Sequence, residues 1–306
     1  MSDGAPEGSG PGPSPQPPRN GEAKKPPSAA LGALKTLAFV GAIQVFALAI
    51  TKVNAPAIQA VIQANGYPYA PEGTSSSGSI YNVLILVVFV FATTLTAVWL
   101  ARKRRVKIFM AMVFGGTAIA LFLLTLLASI SLTGGYMDAN TSLYLSLAFA
   151  TITVVLLTLI ALHKIPASFA LVLTGLLSAE VGSYFASAIP ILTAILLPLG
   201  FALYDVYTVF RGPLKTLINT LPEESMTTMA SKIGDFSIGT GDTVFYAMVP
   251  ALGYYQFGFS SAFLAILAVD VGVVITLYLL SKARLLPGLP IPMGLGVAVL
   301  LVFYFR

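Results

Sequence analysis

Asp205, in Leu203-Tyr204-Asp205-Val206, and Asp242, in Gly239-Thr240-Gly241-Asp242, stand 37 residues apart, each inside an apolar stretch. A carboxylate in hydrocarbon costs at least about 2.5–3.5 kcal/mol on insertion scales, so an acid kept there is a functional hypothesis by default. Two carboxylates brought close together cannot both ionise cheaply; they share a proton and titrate as a coupled pair. Peptide hydrolysis needs such a pair. One ionised carboxylate takes a proton from water while its protonated partner hydrogen-bonds the scissile carbonyl. The same two residues also suit an interhelical hydrogen bond or a proton relay in a carrier, and the residues alone leave these readings open.

Gly239 and Gly241 lead into Asp242. Lacking Cβ, they permit close backbone approach and a local departure from the helix. Tyr204 either positions a neighbouring polar group or packs. A third element lies near the end of the chain, Pro287-Gly288-Leu289-Pro290, with Pro292 just beyond. Proline removes backbone donors and breaks a helix. Non-helical backbone at membrane depth is tolerated only when buried in protein or lining water. The segment is therefore either an ordinary helix start, which proline favours, or irregular backbone beside a site.

The elements that must hold these residues are membrane helices. Of the 306 residues, 57% are hydrophobic and only 9% charged, against about 25% charged in soluble domains. Nine apolar runs are separable, at about 33–51, 80–101, 107–132, 142–162, 166–187, 189–210, 234–253, 257–280 and 288–305. Each is long enough to cross a hydrocarbon core of about 30 Å. The expected fold class is an all-α polytopic membrane protein with nine transmembrane helices. Residues 1–29, rich in Pro, Gly, Ser and charge, read as a disordered tail ahead of a transmembrane domain over 30–306. They do not resemble a signal peptide. The segment 53–79 reads as a long outer loop, with Tyr67 and Tyr69 in it.

The basic residues give the orientation. Arg19, Lys24, Lys25 and Lys35 precede or enter the first run, and Arg102 to Arg105 with Lys107 separate the second and third. Lys164 follows the fourth; Arg211, Lys215 and Lys232 follow the sixth; Lys282 and Arg284 follow the eighth. These fifteen share one side if nine spans alternate, leaving Lys52 and Arg306 on the other. The positive-inside rule then puts the N-terminus in the cytoplasm and the C-terminus outside. The net charge of +5 thus reflects topology, with Trp99 in the interfacial belt, and implies no nucleic acid. Asp205 lies six residues before Arg211, and Asp242 about eight after Ile233-Gly234. At 1.5 Å per residue both fall about 9–12 Å from the cytoplasmic end of their runs.

Cysteine is absent and His163 is the single histidine. That excludes disulfides and Cys- or His-cluster metal sites, and leaves little room for a Ser-His-Asp triad. Glu180 and Asp270 lie mid-span, where interhelical hydrogen bonds suit them. Asp235 and His163 fall near the interface, where solvated or capping roles suit them.

Tyr-Asp, then Gly-x-Gly-Asp, then Pro-x-Leu-Pro, in this order and spacing, resembles the presenilin and signal peptide peptidase family of intramembrane aspartyl proteases, over roughly residues 31–306. One departure stands out: the family's Pro-Ala-Leu reads Pro-Gly-Leu here. The resemblance implies an aspartic endopeptidase that cleaves transmembrane helices of other proteins. Asp205 and Asp242 would be catalytic, carried on helices at about 189–210 and 234–253. Tyr204, Gly239, Gly241, Pro287, Gly288 and Leu289 would meet substrate. It implies no metal or organic cofactor, membrane lipid as the surroundings, and no need for accessory subunits, because the 211–233 loop is short. The charge map matches the presenilin arrangement, and the compact size of the chain resembles an archaeal homologue. A proton- or ion-coupled carrier using the same aspartates is the alternative.

Overall fold

The computed structural model describes residues 29–67, 70, 72–103, 105–162, 164–212, 230–233, 236–282 and 286–306. Among the described residues there are nine α-helices and one two-stranded sheet. The helices are α1 (Ala29–Asn65), α2 (Ser76–Arg102), α3 (Val106–Thr133), α4 (Ala139–Ala161), α5 (Ala167–Ala188), α6 (Ile191–Arg211), α7 (Thr240–Phe257), α8 (Phe259–Leu280) and α9 (Pro290–Tyr304). The strands β1 (Ala230–Ile233) and β2 (Phe236–Gly239) form an antiparallel pair with Ala230 opposite Gly239 and Ile233 opposite Phe236.

Seven helices are long and apolar enough to cross a membrane; α7 and α9 are not among them. α9 is apolar but only 15 residues long; for α7 the neighbours explain it. α7 packs against α1, α5, α8 and α9, and every residue from Phe245 to Gly253 is buried. A helix wrapped in protein needs no lipid-facing hydrocarbon, so α7 can carry Thr240, Asp242, Thr243 and Tyr246 in its first two turns. α3 is the opposite case: Ile119 and Leu123 are more than half exposed, as befits a helix bathed in lipid.

Small residues bring the central helices together, the usual device where lipid leaves no hydrophobic drive between helices. A Cβ at Gly182 of α5 would stand 2.7 Å from the Val244 carbonyl oxygen and 2.8 Å from Ala247 Cβ, both on α7. A Cβ at Gly272 of α8 would stand 2.4 Å from Pro292 Cα, so α9 begins directly on the backbone of α8. Between α7 and α8 the chain turns at a single residue, Gly258, whose φ of +88° suits glycine.

Two expectations are corrected. The first helix does not stop near residue 51; it continues through Pro56 to Asn65, so much of the expected 53–79 loop is helical. Pro56 costs a backbone hydrogen bond but does not end the helix, because Ile58 docks into protein at 3% exposure and Ala, Gln and Ile around it favour helix. The seventh run does not become helix at 234. Its start is β2, where Phe236 and Ile238 are buried and Ser237 is exposed, and the helix begins only at Thr240. The sequence expectations for residues 1–28, Tyr69, Arg104, His163, Lys215, Asp235 and Arg284 lie outside the described residues.

Candidate active site

Asp205 sits in the penultimate turn of α6, half-buried. The Thr208 hydroxyl donates to its backbone carbonyl at 3.0 Å. Its side chain points at the start of α9: the Leu289 N–H donates to Asp205 Oδ2 at 3.1 Å. Leu289 is the N-cap residue of α9, and the free N–H groups of a helix start, with the dipole behind them, favour a carboxylate.

Asp242 is not about two turns inside a helix, as arithmetic on the sequence expected. It is the third residue of α7, directly after the strand-to-helix junction at Gly239. An acid at that position reaches back over the helix start toward the N-cap amide, and the Gly239 amide is the backbone group it meets. A Cβ at Gly239 would lie only 3.2 Å from Asp242 Oδ2. Gly241 is exposed, with no neighbour within 4 Å of a hypothetical Cβ. Its lack of a side chain therefore serves no packing contact.

The two aspartates meet around one peptide group. The Gly288–Leu289 peptide gives its N–H to Asp205, and its carbonyl accepts from the Tyr246 hydroxyl at 2.8 Å. A Cβ on Gly288 would stand 2.5 Å from Asp242 Oδ2 and 3.2 Å from its Cγ. The Pro-Gly-Leu departure thus falls where the backbone touches the second aspartate. Asp205 and Asp242 are close enough to interact electrostatically, and Tyr246 feels both. The structure thus brings together Asp205, Asp242, Gly239, Gly288 and the Leu289 backbone.

It does not bring in the others in the same way. Pro287 is buried, and the Leu289 side chain, 4% exposed, belongs to the core beside Met293 and Val297. Tyr204 points elsewhere: its hydroxyl pairs with Thr94 of α2, and its ring meets Phe91 and Phe201 edge-on. It lines a lipid-facing groove of about 610 Å³ between α2 and α6, with Val83, Val87, Phe91 and Gly200.

Two contributors were missed in the sequence. Tyr246 stands four residues after Asp242, one turn along the same face, and that spacing is the signal that could have found it. Thr243 follows Asp242 and shares a 2.7 Å hydrogen bond with Ser178 of α5; a lone serine in an apolar run gave no such signal. The mid-span acids divide. Glu180 makes the expected interhelical bond, accepting from the Thr125 hydroxyl of α3 at 3.2 Å. Asp270 of α8 has Gln44 of α1 as its polar neighbour, but its Oδ1 and both Gln44 amide atoms lack hydrogen-bond partners.

The fold is presenilin-like. Two solved structures of a presenilin family intramembrane aspartate protease, from C222 and P2 crystals, superpose on the chain with TM-scores of 0.61 and 0.58. Sequence identities are 22% and 24%; each match covers 90% of this chain, and 99% and 97% of the solved chains. No protein-family profile matches the chain, and no curated protein does.

Proposed function

We propose that this chain is an intramembrane aspartyl endopeptidase that hydrolyses peptide bonds within transmembrane helices, with Asp205 and Asp242 as its acid–base pair. The observation that carries this reading is the convergence of both aspartates on the Gly288–Leu289 peptide. Side chains that meet one peptide group of the chain itself are placed to act on another. The likeness to presenilin family intramembrane aspartate protease structures supports the same reading.

In the mechanism, one carboxylate draws a proton from water as the oxygen attacks the peptide carbon, and the protonated partner donates a hydrogen bond to the carbonyl oxygen. The proton then passes to the leaving nitrogen as the C–N bond breaks. A helical substrate must unwind first, because its carbonyls are tied up in helical hydrogen bonds. Among the described residues each strand of the sheet has one edge without a strand partner, and β2 runs straight into the helix of Asp242. An unwound segment adding to that edge would be carried toward the aspartates. The groove at Tyr204 offers such a helix an apolar approach beside Asp205.

Basic residues on one side give a cytoplasmic N-terminus and substrates whose N-termini lie outside. Because the chain has no cysteine, single cysteines at Ser76 and Ser281, both exposed, report orientation. The first should react with an impermeant reagent on intact cells and the second should not.

The test of function is purified chain in lipid with a single-span substrate, with products read by mass spectrometry. Cuts inside the span that an aspartyl-protease transition-state analogue suppresses are expected. An intact substrate, or cuts that the analogue leaves untouched, would contradict the proposal.

A further inference from the structure

Helices α1, α3, α4 and α5 flank a partly open cavity of about 250 Å³ to which α6, α7 and α9 contribute nothing. Its walls are apolar, among them Phe46, Leu121, Leu157 and Leu177, except for Glu180 and three threonines. Among the described residues Glu180 is the only charged one lining it, and no Lys or Arg shares the wall.

The hydroxyl protons of those threonines are already given away. Thr125 donates to Glu180 Oε2 at 3.2 Å, Thr153 to the Phe149 carbonyl at 2.9 Å, and Thr174 to the Leu171 carbonyl at 3.0 Å. The cavity therefore presents acceptors: a carboxylate, and the hydroxyl oxygens of Thr125 and Thr153, which keep lone pairs after donating. An unpaired carboxylate is costly in such surroundings. An ammonium group brings three donors and no acceptor, and the apolar walls call for a hydrocarbon body. The volume lies just under the roughly 300–1,000 Å³ of ordinary ligand pockets, so the occupant is small.

We propose that this cavity binds a small lipophilic amine through an ion pair between its ammonium group and the Glu180 carboxylate. The site is also tied to the helix of Asp242. α5 presents Leu177 and Glu180 to the cavity, while its Ser178 and Gly182 lock onto Thr243, Val244 and Ala247 of α7. Occupancy therefore bears on the rate of cleavage, a consequence that rests on the protease reading.

The experiment uses the full chain in lipid nanodiscs, titrated with a fluorinated 2-phenylethylamine and followed by ¹⁹F NMR; the matching 2-phenylethanol is the neutral isostere. The amine should bind saturably at one site per chain, at least tenfold more tightly than the alcohol. The nearly isosteric Glu180→Gln should weaken the amine at least tenfold and leave the alcohol unchanged, while Asp270→Asn should alter neither. Equal amine binding by wild type and Glu180→Gln, equal binding of amine and alcohol, or no saturable binding would overturn the site. Binding is read without substrate, so its failure leaves the protease reading untouched, and the reverse also holds. With the site saturated, cleavage by wild type should change at least twofold and cleavage by Glu180→Gln should not; an unchanged wild-type rate would overturn the regulatory consequence.

Discussion

The acids at the junction of α6, α7 and α9 and the acids at mid-span are held by different kinds of partner. Asp205 takes its hydrogen bond from a main-chain N–H at the start of α9, and Asp242 lies against main chain at Gly239 and Gly288. Glu180 instead takes a side-chain hydroxyl, and Asp270 faces a side-chain amide without a bond to it. Main-chain partners appear only where helices begin, because only there are N–H groups free of the helical ladder. A pair of aspartates therefore needs broken backbone at membrane depth, and the prolines of 287–292 and the β2–α7 junction supply it. The mid-span acids sit beside unbroken helices, where only side chains can reach them.

The sharpest way to break this contrast is to neutralise each acid in turn. Asp205→Asn and Asp242→Asn should each lower cleavage by about 10²–10⁴-fold or more, since one proton role is lost. Glu180→Gln and Asp270→Asn, measured in the same assay, should stay within about threefold, because neither acid hydrogen-bonds either aspartate or the Gly288–Leu289 peptide. The wild-type rate should rise and then fall with pH, because a fully protonated pair has no base and a fully ionised pair has no acid. Equal losses from all four variants would erase the distinction.

The next effect concerns Gly288. A Cβ there must push on the Asp242 carboxylate. Gly288→Ala should slow cleavage about tenfold and Gly288→Val about a hundredfold, the scale of a small misplacement of a catalytic group. Circular dichroism should show the helices retained. Full activity in Gly288→Val would mean the close approach has no catalytic meaning.

Tyr246→Phe comes third. It deletes the hydrogen bond to the Gly288 carbonyl while keeping the ring, and should cost about 1 kcal/mol of stability with a drop in cleavage that exceeds that of Glu180→Gln. Thermal melts and initial rates on the same preparations decide it.

The smallest effect lies at the start of α4. Asp138 caps that helix by accepting from the Thr141 N–H at 3.0 Å, and that bond holds its pKa below the ordinary 3.8. A carboxylate lowered in the folded state adds stability above its unfolded pKa and loses it as pH falls through the folded value. Asp138→Ala should therefore lower the melting temperature slightly at pH 7 and lose that difference on strong acidification.

How much of this was legible follows from which signals are local. Hydropathy gave nine helices, even for α7, which opens on polar residues and is buried in protein from Phe245 to Gly253. The order and spacing of Asp205, Asp242 and the Pro287-Gly288-Leu289-Pro290 motif marked the segments that converge, through Gly288 and the Leu289 backbone. Strand β2 was not legible, because Phe236-Ser237-Ile238 is a single alternation inside an apolar run. The length of α1 was hidden by Lys52 and Pro56, which punctuate a sequence without always breaking a helix. The role of Tyr204 was open in the sequence, and the structure ties its hydroxyl to Thr94 on α2 rather than to either aspartate.

The central claim is that Asp205 and Asp242 form one site, and binding of a hydroxyl-bearing aspartyl-protease transition-state analogue tests it most directly. Calorimetry on the full chain in nanodiscs needs no substrate. Wild type and Glu180→Gln should each bind one analogue per chain with the same affinity, while Asp205→Asn and Asp242→Asn should each weaken it at least a hundredfold, since each loses half of the pair. Undiminished binding by either Asp variant would contradict the account.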